Sequence, residues 1–288
     1  MQIQHCISKH LLSRTVRVAL IGAGGTGSQV ITALAQMHYA LCKLGHPGGF
    51  DVTVIDDDKV SDANIGRQWF FPTDLGQYKA DVLVNRVNMT MGTQWKSAPE
   101  RVMASSILDF DLVIGAVDTR AARFAIVRAI ERAGGGETYY ADFGNRATDG
   151  QFILGQVLSD KRKTNGGSLP HVGELFPEVM DAKVVDPDEG PSCSLAEALQ
   201  KQSLFINRTL VSHGMAVVWE LFWKQKISHH GVFVNLATGR TSSLAVDPKA
   251  WERFGYGERK THFRVNKLPH QKPEVRRTAK RRKKQALA

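Results

Sequence analysis

The stretch RVALIGAGGTGSQV (17–30) runs from an apolar segment into glycines and back into helical periodicity. Few patterns restrict a fold so strongly. Val16–Ile21 reads as a short buried strand ending in glycine. The apolar positions that follow, Val30, Ile31, Leu34, Ala35, Met37 and Leu41, share one helical face that ends near Gly45. Gly22, Gly24 and Gly27 complete a GxGxxG pattern between the two. There the first glycine permits a tight turn, the second admits a phosphate group, and the last lets the helix pack on the strand. A helix N-terminus also offers free N–H groups and a positive dipole end to an anion. At this point a dinucleotide redox cofactor, ATP, or a turn that only packs all remain open.

The rest of the chain alternates in the same way. Phe50–Ile55 predicts a second strand closing on Asp56-Asp57-Asp58, and Lys79–Asn88 a helix. Leu112–Ala116 (strand), Arg120–Ala133 (helix), Thr138–Phe143 and Gln151–Leu158 (strands) continue the series. Such alternation predicts an α/β chain: a Rossmann-like, mainly parallel sheet with helices on both faces. Residues 159–191 read as a long crossing loop. A helix is expected over about Leu195–Trp223, with Leu199, Phe205, Ile206, Leu210, Met215, Val218, Leu221 and Phe222 inward. GVFVNLATGRTSSLAVD (231–247) predicts a C-terminal β-hairpin.

The 288 residues suffice for a sizeable core. No apolar run approaches the roughly 20 residues that span a bilayer, and the N-terminal stretch lacks a signal-peptide pattern. Three scattered cysteines (Cys6, Cys42, Cys193) argue against a disulfide framework and for a reducing, cytoplasmic setting. Residues 272–284, KPEVRRTAKRRKK, carry +7 of the chain's +10 charge. The expected organisation is therefore a Rossmann-like unit over 1–256 and a basic, disordered tail over 257–288. The tail is either an electrostatic grip on nucleic acid or a solvated end.

Two details pull the glycine turn away from a redox cofactor. Gly25 adds a glycine, giving GxGGxGS, and Asp56 lies 34 residues after Gly22 rather than the roughly 20 of the dinucleotide fingerprint. Asp56 can accept from ribose hydroxyls under either nucleotide. The next segment, VIDDDKVSDANIGRQWFFPTDLGQYKADV, supplies Asp-x-Asp, Asn-x-x-Arg-Gln and Gly-x-x-Lys, and a later strand ends in VIGAVDT. The ordered set Gly22, Gly24, Gly25, Gly27, Asp56, Asp58, Asn64, Arg67, Gln68, Lys79 and Asp118 resembles the ThiF/MoeB/HesA family, relatives of the ubiquitin-activating enzymes. The resemblance covers about residues 16–247 less the loop. It implies ATP and Mg²⁺ as cofactors, a ubiquitin-like carrier protein as partner, adenylation of that carrier's C-terminal carboxylate, and a homodimer. Within the family it is closest to the ThiF-related proteins of mobile-element gene cassettes, the PRTRC systems, which would give the tail DNA or an acidic partner.

The residue types suit that chemistry. A carboxylate attacking the α-phosphorus of ATP brings two anions together, so fixed positive charge and alignment are needed. Arg67 offers a planar fork for phosphate, and Lys79 a compact charge for the leaving group. Asp118 at a strand end suits Mg²⁺, which is held by one or two carboxylates and the nucleotide phosphates. Asn64 and Gln68 would orient phosphates or those side chains. Taken singly, each has a plainer reading: Asp58 as a solvated strand end or cap, Arg67 and Lys79 as surface charges, Asp118 as the N-cap of the helix starting near Arg120.

Cys193 is expected just ahead of the last long helix, where a helix N-terminus lowers a thiol pKa. The resemblance makes it a nucleophile that takes the carrier as a thioester; the alternative is an ordinary thiol near a cap. The chain has no paired Cys-x-x-Cys, so no zinc is expected. For the arginine that relatives offer to a partner subunit, only Arg14 or Arg17 is available. Two other functions compete: a catalytically weak nucleotide-binding adaptor anchored to DNA by its tail, and a nicotinamide-dependent oxidoreductase.

Overall fold

In the computed structural model, residues 3–134, 136–158, 168–181 and 203–257 are described. The chain opens with β1 (His5–Cys6) and a single helical turn, α1 (Lys9–Leu12), then enters β2 (Val16–Ile21). Every β2 residue but Arg17 is buried, as befits a strand covered on both faces. The glycine turn follows, and α2 (Gly25–Lys43) buries Val30, Ile31, Leu34, Ala35, Met37 and Leu41, the face that the periodicity predicted. Next come β3 (Phe50–Ile55), α3 (Lys79–Met91), β4 (Lys96–Ala98), β5 (Leu112–Gly115), α4 (Arg120–Ala133), β6 (Glu137–Asn145) and β7 (Asp149–Leu158). Helix α4 is punctuated as its sequence suggests: Thr119 accepts from the Ala122 amide at its start, and Gly134 closes it at φ +63°.

Eight strands form one sheet in the order β4-β3-β2-β5-β6-β7-β9-β10, where β9 is His229–Asn235 and β10 is Arg240–Ala245. The five strands β4, β3, β2, β5 and β6 are mutually parallel; β7, β9 and β10 extend them antiparallel. Strand β2 is central, with Val18 paired to Val52 on one side and Leu112 on the other. The chain leaves β2 toward β3 and β4, then returns to the opposite side at β5. That reversal opens a crevice at the carboxyl ends of β2 and β5, the usual ligand position in an open α/β sheet. The expected α/β, Rossmann-like architecture is the observed one, with the C-terminal hairpin built into the main sheet.

Three expectations need correction or limits. The last long helix, α6, runs Ile206–Trp223 rather than from Leu195; residues 203–205 are not helical and Phe205 is exposed, not inward. Leu199 lies outside the described residues. The part of the crossing loop that is described, 168–181, is ordered by a short helix, α5 (Val172–Leu175), and a 3₁₀ turn at Pro177–Met180. Gln156 holds it down: its backbone N–H donates to the Leu169 carbonyl and its side-chain oxygen accepts from the Leu169 amide, at 2.9 and 2.8 Å. Leu169, Val172 and Leu175 are then buried, so weak periodicity concealed real core positions. Strand β4 escaped prediction because its three residues, Lys-Ser-Ala, have no apolar pattern. The tail from 258 onward lies outside the described residues.

The far end of the sheet carries a buried histidine with a testable consequence. Strand β8 (Lys226–Ile227) pairs with β1, and α7 (Pro248–Glu252) follows β10. Fully buried His230 lies with Nδ1 2.8 Å from the Leu154 carbonyl and accepts at Nε2 from the Trp251 indole N–H, also at 2.8 Å. This pairing assigns the proton to Nδ1 of a neutral ring. Burial lowers its pKa from 6.5 to about 4, with the Leu154 carbonyl opposing. The unfolded chain therefore binds the proton first, so the contribution to stability is complete above pH 6.5 and is lost as pH falls toward 4. We expect the melting temperature to fall steeply over that window. A His230→Gln variant, less stable above that window, should show a shallower fall; an unchanged slope would assign the acid sensitivity elsewhere.

Candidate active site

Two glycines of the turn, Gly22 and Gly27, press on backbone, while Gly24 stands open. Gly22 has φ +93°, and a Cβ there would lie 2.4 Å from the Ala116 carbonyl oxygen at the end of β5. A Cβ on Gly27 would lie 1.9 Å from the Gly22 oxygen, so the first turn of α2 can close only over glycine. Gly24 faces open space, with nothing within 4 Å of where a methyl group would stand. Gly24 is also the N-cap of α2 and supplies no side-chain cap, so the first N–H groups of the helix look onto that space.

Asp56, leaving β3, ties this turn to the next segment. Its Oδ2 accepts from the Ala23 amide at 2.6 Å and its Oδ1 from the Asp58 amide at 2.8 Å. Burial pushes its carboxyl pKa up, against the Ala23 amide and the Lys79 charge. Lys79, the first residue of α3, is buried, and its Nζ donates to Asp58 Oδ2 at 2.9 Å. The Lys79 backbone N–H donates to the Asp58 carbonyl at the same distance. The plain reading of Lys79 is thereby displaced, since it is no surface charge; Asp58 holds it while its own side chain stays 60% exposed, as a solvated strand end would.

Asp118 follows β5. Thr119, not Asp118, caps α4, so the cap reading of Asp118 does not apply. Its carboxylate reaches solvent yet sits in a hollow crowded by protein. That crowding pushes its pKa up; Arg123, Arg67 and Lys79 oppose the shift in that order, and solvent access tempers it. Arg67, Lys79, Asp58 and Asp118 therefore act on one another electrostatically at the carboxyl ends of β2, β3 and β5. Asn64 serves its own loop: its Oδ1 accepts from the Ser61 amide at 2.9 Å and hydroxyl at 3.1 Å, closing a 3₁₀ turn. Gln68 is buried, and its Oε1 has no hydrogen-bond partner among the described residues. The next residue, Trp69, donates its amide to Ser28 Oγ in the first turn of α2 at 3.3 Å, which puts Gln68 against the glycine helix.

Cys193 lies outside the described residues, so its setting is not described. Arg14 and Arg17 stand at the opposite end of β2 from the turn. Arg14 forms a bidentate pair with Asp111, at 2.7 and 2.6 Å, and Arg17 binds Asp109 at 3.1 Å. They are committed to the base of the sheet.

A profile of the ThiF family matches residues 9–152, half of the chain, and takes in every one of these charged residues. The chain belongs to the ThiF family. Proteins of this family are typically ATP-dependent adenylyltransferases. Among solved structures, the E. coli tRNA N6-threonylcarbamoyladenosine dehydratase is similar at 23% identity with a TM-score of 0.33. The match covers 41% of this chain and 47% of that one, so the ThiF-family chain spans about half of that relative. No curated protein matches.

Sequence reasoning missed a buried network behind the site. Arg123, on α4, donates to both oxygens of fully buried Asp142 on β6, at 3.1 and 3.3 Å, and to the Phe143 carbonyl. Tyr140 donates its hydroxyl to Asp142 at 2.9 Å, and burial together with that carboxylate keeps the hydroxyl protonated. The same arginine reaches the Asp118 carbonyl at 3.5 Å. A signal existed: Arg123 occupies an apolar helical stripe with Ile126, Val127 and Ile130.

An anionic nucleotide fits what is present. The uncapped helix start, the open space at Gly24 and the cations Arg67 and Lys79 are all suited to a polyphosphate. Among the described residues no cluster of three potential metal ligands occurs. A single carboxylate, Asp118, suits a Mg²⁺ whose remaining ligands are phosphate oxygens and water. No helix among the described residues is long and apolar enough to cross a membrane.

Proposed function

We propose that the protein uses ATP to adenylate the C-terminal carboxylate of a small ubiquitin-like carrier protein. The observation that carries this reading is the grouping of Arg67, Lys79, Asp58 and Asp118 around an open, uncapped glycine turn. A carrier carboxylate oxygen bonds to the α-phosphorus as the bond to the β-phosphate bridging oxygen breaks. The products are an acyl-adenylate and pyrophosphate. The turn receives phosphate oxygens, Arg67 holds them through its fork, and Lys79 exchanges Asp58 for the departing pyrophosphate. Asp56 accepts from ribose hydroxyls through its remaining lone pairs. Bound Mg²⁺, held by Asp118, would neutralise phosphate charge. An oxidoreductase has no use for this combination of cations and carboxylates.

The reading continues, on sequence alone, to Cys193. Its thiolate would displace AMP from the acyl-adenylate, forming a thioester as the carboxyl–phosphate bond breaks and the thiol proton passes to solvent. Mixing the protein with ATP, radiolabelled pyrophosphate and the ubiquitin-like protein of a PRTRC cassette should give carrier-dependent exchange; its absence would defeat the proposal. Cys193→Ala should keep that exchange while a thiol-sensitive covalent adduct with the carrier disappears. An adduct that persists removes this cysteine from the pathway. The basic segment 272–284 is assigned to DNA in the same reading, with salt-sensitive binding that is lost on deletion of 272–288.

A further inference from the structure

The additional glycine of the turn has a neighbour that belongs to the protein itself. A Cβ on Gly25 would lie 2.4 Å from Nδ2 of Asn207 and 3.2 Å from its Cγ. Asn207 is the second residue of α6 and is only 4% exposed. Its Oδ1 accepts from the Thr26 hydroxyl at 3.1 Å, and the same hydroxyl lies 3.3 Å from Oδ1 of Asn145 at the end of β6. Gly25 has no left-handed backbone angle, so glycine is not needed there for conformational freedom. What it provides is room for the Asn207 amide.

We propose that Asn207 is a positioning residue for the phosphate-receiving turn. Its amide fills the space above Gly25 while its oxygen restrains Thr26, and together these fix the direction of the N–H groups in the first turn of α2. The proposal rests on reading that turn as an ATP site. Donors at a helix start serve an anion only when they converge on it, so small rotations of the turn cost affinity. An alanine at 25 would push a buried, hydrogen-bonded amide aside and break its bond to Thr26.

The test is calorimetric ATP binding by the full chain as wild type, Gly25→Ala, Asn207→Ala and the double variant, with the melting temperature of each ligand-free protein. Asn207→Ala should weaken ATP binding about tenfold through the lost hydrogen bond and loosened turn. Gly25→Ala should weaken it clearly further, because the displaced amide adds a clash to the lost hydrogen bond. In the double variant the clash is gone, so affinity should return to the level of Asn207→Ala alone rather than fall by the product. A double variant no better than Gly25→Ala would mean that the nucleotide, not Asn207, demands the glycine, and would overturn the proposal. So would wild-type affinity in Asn207→Ala, including the case in which only its melting temperature falls. Failure of the wild type to bind ATP would instead overturn the nucleotide reading, and this inference with it.

Discussion

Asp118→Ala is expected to lower carrier-dependent ATP–pyrophosphate exchange by about a thousandfold, the scale of losing a preorganised electrostatic group at a reacting centre. The fold should survive the change. Thr119 carries the cap of α4, the Arg123 contact at this position is to the Asp118 backbone carbonyl, and the carboxylate itself is exposed. The melting temperature should therefore move little, and the loss can be assigned to chemistry. Increasing Mg²⁺ should recover part of the rate if the carboxylate contributes through metal affinity. Full exchange in the variant would remove Asp118 from the mechanism.

The second large effect falls on stability. Arg123→Leu removes the cation from fully buried Asp142 and leaves Tyr140 as its remaining side-chain partner. Breaking a buried pair on one side typically costs about 3–5 kcal/mol, because the surviving charge is left uncompensated. For a chain of this size that corresponds to a fall in melting temperature on the order of 10 °C. Arg123→Leu/Asp142→Leu should regain much of the loss, since neither charge then remains buried. A single variant that melts within a degree or two of wild type would show that water reaches Asp142, against its zero exposure. Because Arg123 also carries the largest charge effect on Asp118, the folded fraction of the single variant should exchange pyrophosphate more slowly.

The parallel half of the sheet was legible because buried strands and amphipathic helices write their period into the chain. β2, β3 and α4 fall at their predicted bounds, and the inward face of α2 was read residue by residue. The charged constellation was legible through a different signal, the order of small motifs along 22–118. What escaped depends on contacts between distant segments. Asn207 and Gly25 are 182 positions apart, and neither shows in sequence that one shapes the other. Both Asn207 and Arg123 do leave a trace, a polar residue inside an apolar helical stripe. For Asn207 the stripe continues through Leu210, Val211, Gly214 and Val218. Asn64 shows a contact that its motif did not announce: its side-chain oxygen closes a local 3₁₀ turn.

If the crevice takes ATP, as proposed, the resting pairing of Lys79 with Asp58 bears on which form of the nucleotide it would prefer. Arg67 and Lys79 contribute two positive charges; Asp56, Asp58 and Asp118 contribute three negative ones, while Arg123 and Asp142 cancel. The crevice is thus close to neutral before any ligand arrives, with a slight excess of negative charge. A bare polyphosphate of four negative charges gains little from it at long range. A polyphosphate already carrying a divalent cation presents half that charge, along with a positive centre that Asp118 can meet. Under the proposed reading, the carboxylates that crowd this pocket would act as a filter, favouring the metal-complexed nucleotide over the free anion.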